Sequence, residues 1–410
     1  MKTQRFLILL VVFIMTISIV GCSSTAPKTS ASVATSKSTT TKADSTQAAT
    51  ASAPAAKTKA STDDDILIGV SIWSSTDALG SQCKKIIDAA AKSLGVKTMY
   101  VDQGHVSEQV TASAETLAAA GCDGIMICNS SSAEMTSVIN TCTENKIYVS
   151  QFFRVINEKT DPDEYALACK SPYYVGAVYE DEVANGFNLA QILCKKGCRK
   201  IGLEGWNAGD ATYILREQGY KSGVEAWNKD HPDDKAVLLD VQYGGHTSDT
   251  GRTTAEAIIS ANPDIDALIV AGGGGGCLAG AMTAIDNLGL KEKIKVVSTD
   301  FVDNLGECLE NGTIAAESGG HYCDPLFAFM MTYNAIKGNY PKLDNNFYKI
   351  QFPYLYVASP EDYAAYKQYF VDELPYTSEE LTKMGTLGFD ELAKTASNLS
   401  IEDVKTRHSK

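Results

Sequence analysis

From Ile66 onward the chain alternates short apolar runs with longer amphipathic stretches. Residues 66–71, 97–101, 124–128 and a run beginning at Ile147 are rich in β-branched and aromatic side chains and read as buried strands. Between them, residues 82–94, 108–120 and 133–144 carry apolar positions at helical spacing, and Gly95 stands where the first helix needs a C-cap. The regularity lapses across 157–171 and then resumes. The second series has predicted helices over 182–194, 211–227, 250–260 and 277–288, and predicted strands over 200–204, 236–241, 267–271 and 295–298. Strands alternating with helices form βαβ units, hence parallel sheets whose carboxyl ends face the ligand. Two such series imply an α/β protein of two Rossmann-like lobes, with the cleft between them as the default binding site. A helix over 322–333, a strand over 347–356 and helices over 361–370 and 390–396 complete the chain. The tail from 359 to 410 carries no chemistry and is assigned to packing.

The N-terminus changes this picture in one respect. Lys2 and Arg5 precede an apolar run from Phe6 to Val20, too short and wrongly flanked for a comfortable spanning helix, so residues 1–21 read as a secretion signal. It ends in Gly21-Cys22-Ser23-Ser24, which resembles a bacterial lipobox with Cys22 as the lipid acceptor. Residues 22–63 are mostly Ser, Thr, Ala and Lys, with too little apolar area to fold, and form a tether. The expected location is the extracytoplasmic face of the cell membrane, on a Gram-positive-like surface, through the lipid alone. A formal net charge of -14 argues against nucleic acid and against an anionic membrane surface as partners.

Candidate chemistry concentrates at strand ends. The run from Ile147 closes in Phe152-Phe153-Arg154, two aromatic rings beside a guanidinium, which suits a polar ring with apolar C–H faces and a hydroxyl rim. The plainer alternative makes both rings core and Arg154 a surface charge. The glycines from Gly272 to Gly276 offer backbone N–H donors and close approach, including Gly273 and Gly274. They also form a loose dinucleotide fingerprint, which a tethered extracytoplasmic protein has little means to use, so no cofactor is expected. Ten cysteines remain besides Cys22; Cys194 and Cys198 are the best candidate pair, and two residues at that spacing are weak grounds for zinc. The five histidines are scattered and no nucleophile elbow is present, so catalysis and a metal site are not expected.

Several segments, in order over nearly three hundred residues, resemble the type I periplasmic binding proteins of the ribose-binding, simple-sugar group, the solute receptors of ABC importers. They are Ile68-Gly69-Val70-Ser71-Ile72-Trp73, Gly124-Ile125-Met126-Ile127 followed by Asn129, Ile147 to Arg154, Arg216-Glu217-Gln218-Gly219-Tyr220, Asn262-Pro263-Asp264-Ile265-Asp266-Ala267, Val297-Ser298-Thr299-Asp300 and Asn311-Gly312-Thr313-Ile314-Ala315-Ala316. The resemblance implies three crossovers forming a hinge, near Tyr179 to Asp181, near Gly319 to His321, and just after Lys349. Lobe 1 would then comprise 64–180 and 321–350, and lobe 2 181–320 and 351–358.

It also implies ligand contacts at Trp73, Ser74, Asp77, Asn129, Phe152, Phe153, Arg154, Arg216, His246, Gly273, Gly274, Asp300 and His321. Two positions depart from the sugar-receptor pattern. Phe153 replaces a carboxylate, and the glycine run replaces an Asn-Asp pair, which points to a ligand larger or differently substituted than ribose. The expected function is capture of a small polar ligand, most plausibly a carbohydrate, for an ABC permease. Two alternatives are a sensor docking on a histidine kinase or chemoreceptor, and an enzyme using the glycine run.

Overall fold

A computed structural model describes residues 66–104, 106–272 and 276–409. The expected leader, Cys22, the expected tether, Gly273 and Gly274 lie outside the described residues. The first series folds as β1 (Leu67–Ile72), α1 (Ala78–Leu94), β2 (Lys97–Asp102), α2 (Ser107–Ala119), β3 (Gly124–Ile127), α3 (Glu134–Asn145), β4 (Tyr148–Phe152), α4 (Pro162–Lys170) and β5 (Tyr174–Glu180). The second comprises α5 (Glu182–Lys195), β6 (Lys200–Gly205), α6 (Ala211–Asp230), β7 (Val237–Leu238), β8 (Gln242–Tyr243), α7 (Ser248–Ala261), β9 (Ala267–Val270), α8 (Gly276–Asn287), β10 (Lys295–Thr299), α9 (Leu305–Glu310) and β11 (Ile314–Gly319). The chain then returns through α10 (Asp324–Ile336), β12 (Tyr348–Phe352) and β13 (Leu355–Val357), and ends in α11 (Pro360–Tyr366), α12 (Ser378–Met384), α13 (Phe389–Ser397) and α14 (Ile401–His408).

Two sheets result. The first has the order β12-β5-β4-β3-β1-β2 and pairs in parallel throughout; the second runs β13-β11-β10-β9-β6-β7, with β8 also on β6. In the second sheet only the β11–β13 pair is antiparallel among the described residues. The chain passes between sheets after β5, after β11 and between β12 and β13. The strand predicted over 347–356 is therefore two strands in different sheets. Pro353, between them, has no N–H to give a ladder, and the third crossing falls there rather than directly after Lys349.

Other differences are local. Helix α1 begins four residues earlier than its periodicity suggests, because Asp77 caps it, Oδ1 accepting from the Gly80 N–H at 2.7 Å. Within and after the irregular stretch lie α4, opened by Pro162, and β5. All ten cysteines among the described residues are free thiols, so the candidate Cys194–Cys198 pair is not a disulfide; nine are buried.

The tail is part of the core. Helix α10 is largely apolar and every residue from Asp324 to Ala335 is buried, which requires cover on all sides. The sheet supplies one side; α13 packs on α10 and β12, and α12 packs on α1. One hydrophobic cluster runs from Ile68 and Phe327 at the first sheet to Ile258 and Leu305 at the second, and Tyr366 and Phe370 of the tail belong to it.

Candidate functional site

The carboxyl ends of the two sheets face each other across the cleft, and the turns leaving them place its side chains. Trp73 follows β1, Phe153 and Arg154 follow β4, Trp206 follows β6, Asp300 follows β10, and His321 follows β11. Two of these turns hold non-glycine residues in the left-handed region, Phe153 at φ 59° and Asp300 at φ 73°, each costing of order 1–3 kcal/mol. Hydrogen bonds hold both. The Phe153 N–H donates to Asp324 Oδ2 at 3.2 Å, and the Asp300 N–H donates to the Ser318 carbonyl at 2.8 Å. The left-handed turn also separates the two adjacent phenylalanines. Phe152 ends the strand wholly buried in the core and lines none of the cleft, whereas Phe153 turns toward Trp73 and His321, with ring centroids at 5.6 and 5.4 Å.

A central cavity of about 210 Å³ is lined by Trp73, Phe153, Arg154, Arg216, Asp300 and His321, together with Glu180, Glu182, Tyr213 and Tyr354. An outer cavity of about 540 Å³ shares Phe153, Arg154, Glu180 and Glu182 with it. Arg154 donates to the Phe153 carbonyl at 2.8 Å and lines both cavities. Three buried polar atoms of this lining have no hydrogen-bond partner among the described residues: Glu180 Oε1, Asp300 Oδ1 and His321 Nδ1. His321 Nε2 lies 3.2 Å from Asp300 Oδ1, but not in hydrogen-bonding geometry. Each such group costs about 1–3 kcal/mol while unsatisfied, so the cavity presents polar atoms that a polar occupant would satisfy.

Arg216, expected to face the ligand, is instead committed to the protein. Its Nε donates to Glu182 Oε2 at 2.5 Å and its Nη2 to Glu182 Oε1 at 3.2 Å, while Nη1 donates to the Ala271 carbonyl at 3.1 Å. Tyr354 completes the set, its hydroxyl accepting from Nη2 and donating to Glu182 Oε1, both at 3.0 Å. Glu182 stands just after the first crossing, and Tyr354 stands on the third. Arg216 thus ties two of the three crossings together, leaving one edge of its guanidinium to the cavity.

The protonation states follow from burial. Burial alone would raise the Glu182 carboxyl, but Arg216 beside it holds it below the usual carboxylate range. Glu180 and Asp324 lie side by side; burial, and then the nearby negative charge, holds both above that range, so the pair retains a proton. Burial lowers His321, which is therefore a neutral imidazole.

A further buried carboxyl belongs to the second sheet. Glu204 of β6 accepts from Cys277 Sγ at 3.0 Å, has Oε2 without a partner among the described residues, and is pushed by burial to about 8. The folded protein therefore holds a proton that the unfolded chain releases near the ordinary value of 4.5. Its stabilising share is complete below that value and is lost as the pH rises to about 8, at about 1.4 kcal/mol per pH unit. Melting temperatures from pH 5 to pH 8 should accordingly fall less steeply for Glu204→Gln than for the wild type. Equal slopes would show that Glu204 ionises normally.

The remaining expected site residues divide. Asp77 lines an inner cavity, but both its oxygens are used, Oδ1 by the Gly80 N–H and Oδ2 by Trp73 Nε1 at 2.6 Å. Ser74 lines none of these cavities; its hydroxyl accepts from the Thr76 and Asp77 N–H groups and shapes the turn. Asn129 lines the outer cavity while holding its own loop through Gln151 and the Ser131 carbonyl. His246 is exposed beside Trp206, with ring centroids 5.8 Å apart, and it is Trp206 that reaches the cleft. Sequence reasoning missed Glu180, Glu182, Trp206, Tyr213 and Tyr354. Glu180 lies within the expected first crossover and Glu182 directly after it, and Trp206 stands two residues past the predicted strand 200–204, so strand-end position was the available signal for these three.

Comparison with known proteins agrees with this architecture. The family described as "Periplasmic binding protein domain" matches residues 68–321. No curated protein matches the chain. Among solved structures, a periplasmic solute-binding protein of an ABC transporter from Actinobacillus succinogenes, with bound D-allose, superposes with a TM-score of 0.60 at 16% identity, covering 72% of this chain and 98% of its own. The periplasmic component of the arabinose ABC transporter from Shewanella, bound to L-arabinofuranose, gives 0.59 at 21% identity over 75% and 96%. A glucose-galactose binding protein from Geobacillus stearothermophilus gives 0.57 at 20% over 73% and 99%. Two parallel-sheet lobes, three crossings and a ligand cleft at the strand ends define the type I periplasmic binding protein fold. The chain belongs to the periplasmic binding protein family, a family of extracytoplasmic solute receptors rather than enzymes.

Proposed function

We propose that this protein is a lipid-anchored receptor that captures a sugar or sugar-like compound outside the cell and delivers it to an ABC importer by closure of its two lobes. The observation that carries the reading is the central cavity, where the aromatic rings of Trp73 and Phe153 stand beside the Arg154 guanidinium and the unpartnered polar atoms of Glu180, Asp300 and His321. Apolar rings stack on the C–H faces of a sugar, the guanidinium donates to its hydroxyls, and the carboxylate accepts from them. In this reading Trp73, Phe153, Arg154, Asp300 and His321 contact the ligand, and Arg216 positions the hinge. The sugar-bound structures that share the fold support the ligand class. Cys22 carries the lipid, and residues 22–63 form the tether.

A thermal-shift screen over sugars, polyols, nucleosides and sugar phosphates tests the ligand class. A ligand present at a hundred times its Kd stabilises the protein by about 2.7 kcal/mol, which a melting curve registers. Sugars are expected to give the largest rise, and a screen in which only compounds without a polyhydroxyl ring raised the melting temperature would reject a sugar ligand. Anchoring has its own readout: Cys22→Ala should release the protein into the medium, and retention on the membrane would refute the lipid.

A further inference from the structure

The central cavity adjoins an inner one of about 360 Å³, and the two share Trp73, Leu79, Asp300 and His321. The inner cavity is the larger, so a single sugar ring seated on Phe153 and Arg154 would leave it empty. Its walls differ in chemistry from those of the central cavity. Rings from three parts of the chain meet there: Trp73 of the first lobe, Trp206 and Phe301 of the second, and Tyr366 of the tail. Asp77, Gln82, Asp300 and His321 supply polar groups among its lining.

The aromatic walls are seated on bare backbone. A Cβ at Gly272 would come within 2.0 Å of the Trp206 ring, and one at Gly319 within 2.7 Å of the Phe301 ring. Trp206 is further backed by Tyr213, stacked at 5.3 Å with 15° between the rings, and Phe301 by Tyr366 at 4.4 Å. Tyr366 belongs to α11 of the tail, beyond residue 321 where the family match ends, so a segment of the tail completes this wall. That segment is held on both sides of the cleft. Tyr363 of α11 lies against Gly306 of the second lobe, and the Tyr322 hydroxyl donates to the Phe370 carbonyl at 2.7 Å next to the first lobe's α10.

We propose that the inner cavity is a second subsite, completed by the C-terminal tail, that receives the second ring of a glycoside: a disaccharide or a sugar joined to an aromatic aglycone. The proposal rests on the sugar-binding reading of the central cavity. The glycosidic linkage would pass between Trp73 and the Asp300–His321 pair, which line both cavities. A flat or C–H-faced ring then finds aromatic faces on both lobes and on the tail, an arrangement that stacks rings without demanding many hydroxyls.

The test compares monosaccharides with their disaccharides and p-nitrophenyl glycosides, by calorimetry, on the wild type and on two variants that fill the inner cavity from its rim. Gln82 is exposed on α1 and Ala78 opens the same helix, so Gln82→Trp and Ala78→Trp block the space without touching the core. On the wild type, glycosides are expected to bind about tenfold or more tighter than the parent monosaccharide; in both variants that advantage should vanish while monosaccharide affinity is retained. Equal affinity for monosaccharides and glycosides on the wild type, or variants that leave the glycoside advantage intact, would overturn the second subsite and leave the sugar receptor standing. Binding of neither class would overturn the receptor reading itself.

Discussion

Arg216→Ala is expected to destabilise the protein by about 3–5 kcal/mol, although Arg216 stands at the rim of a binding cleft. The reason is the company it keeps. Its side chain and that of Glu182 are 5% and 10% exposed, and removing the guanidinium leaves a buried carboxylate whose remaining partner among the described residues is the Tyr354 hydroxyl. The same change releases the Ala271 carbonyl and removes the Arg216–Tyr354 bond, leaving the Tyr354–Glu182 hydrogen bond to join the first crossing to the third. Denaturant unfolding of Arg216→Ala, Glu182→Ala and the double variant separates this from a generic loss of packing. Because the double variant leaves neither charge uncompensated, it should be more stable than the sum of the single losses predicts, with a coupling of roughly 0.5–3 kcal/mol. Additive losses would mean that the two side chains do not depend on each other.

Asp300→Ala and Arg154→Ala should each weaken ligand binding by about 2–5 kcal/mol, the cost of removing one partner from a desolvated charged hydrogen bond. Neither residue is locked in an ion pair of the Arg216 type. Arg154 donates to its neighbour's carbonyl, and Asp300 has an oxygen with no partner among the described residues. Their loss should therefore appear in the dissociation constant far more than in the unfolding free energy. Asp300→Ala also removes a side chain from a backbone at φ 73°, so Asp300→Asn, which tolerates that conformation, is the better-matched comparison. Unchanged affinity in both alanine variants would move the ligand away from the central cavity.

The contrast between Arg216 and Arg154 shows where sequence reading succeeded. Both arginines carry the family resemblance, and the structure puts both at the cleft. What divides them is Glu182, which lies 34 residues from Arg216 in the chain and against it in space. Phe152 and Phe153 are a sharper case. They are chemically identical neighbours, and one left-handed φ sends the first into the core and the second into the cleft. Asp77 was legible as a polar residue after the first strand, yet its carboxylate is spent capping α1 and holding Trp73. Position at a strand end was readable, but the partners already bound to each side chain were not.

The tail was read as packing. It covers α10, but it also carries Tyr366 into the inner cavity, a contact between residues far apart in sequence that no local pattern announces.

By itself, the sequence determined the alternation of strands and helices, the two parallel sheets and the strand ends at which a ligand would be met, because hydrophobic period and turn residues act over a few positions at a time. Tertiary structure alone decided which arginine is paired with Glu182, which phenylalanine faces the cleft, which carboxyls are held above the usual range by burial and which rings line the inner cavity. Those outcomes depend on desolvation and on partners brought together across crossings and lobes, and such energies exist only once the chain has folded.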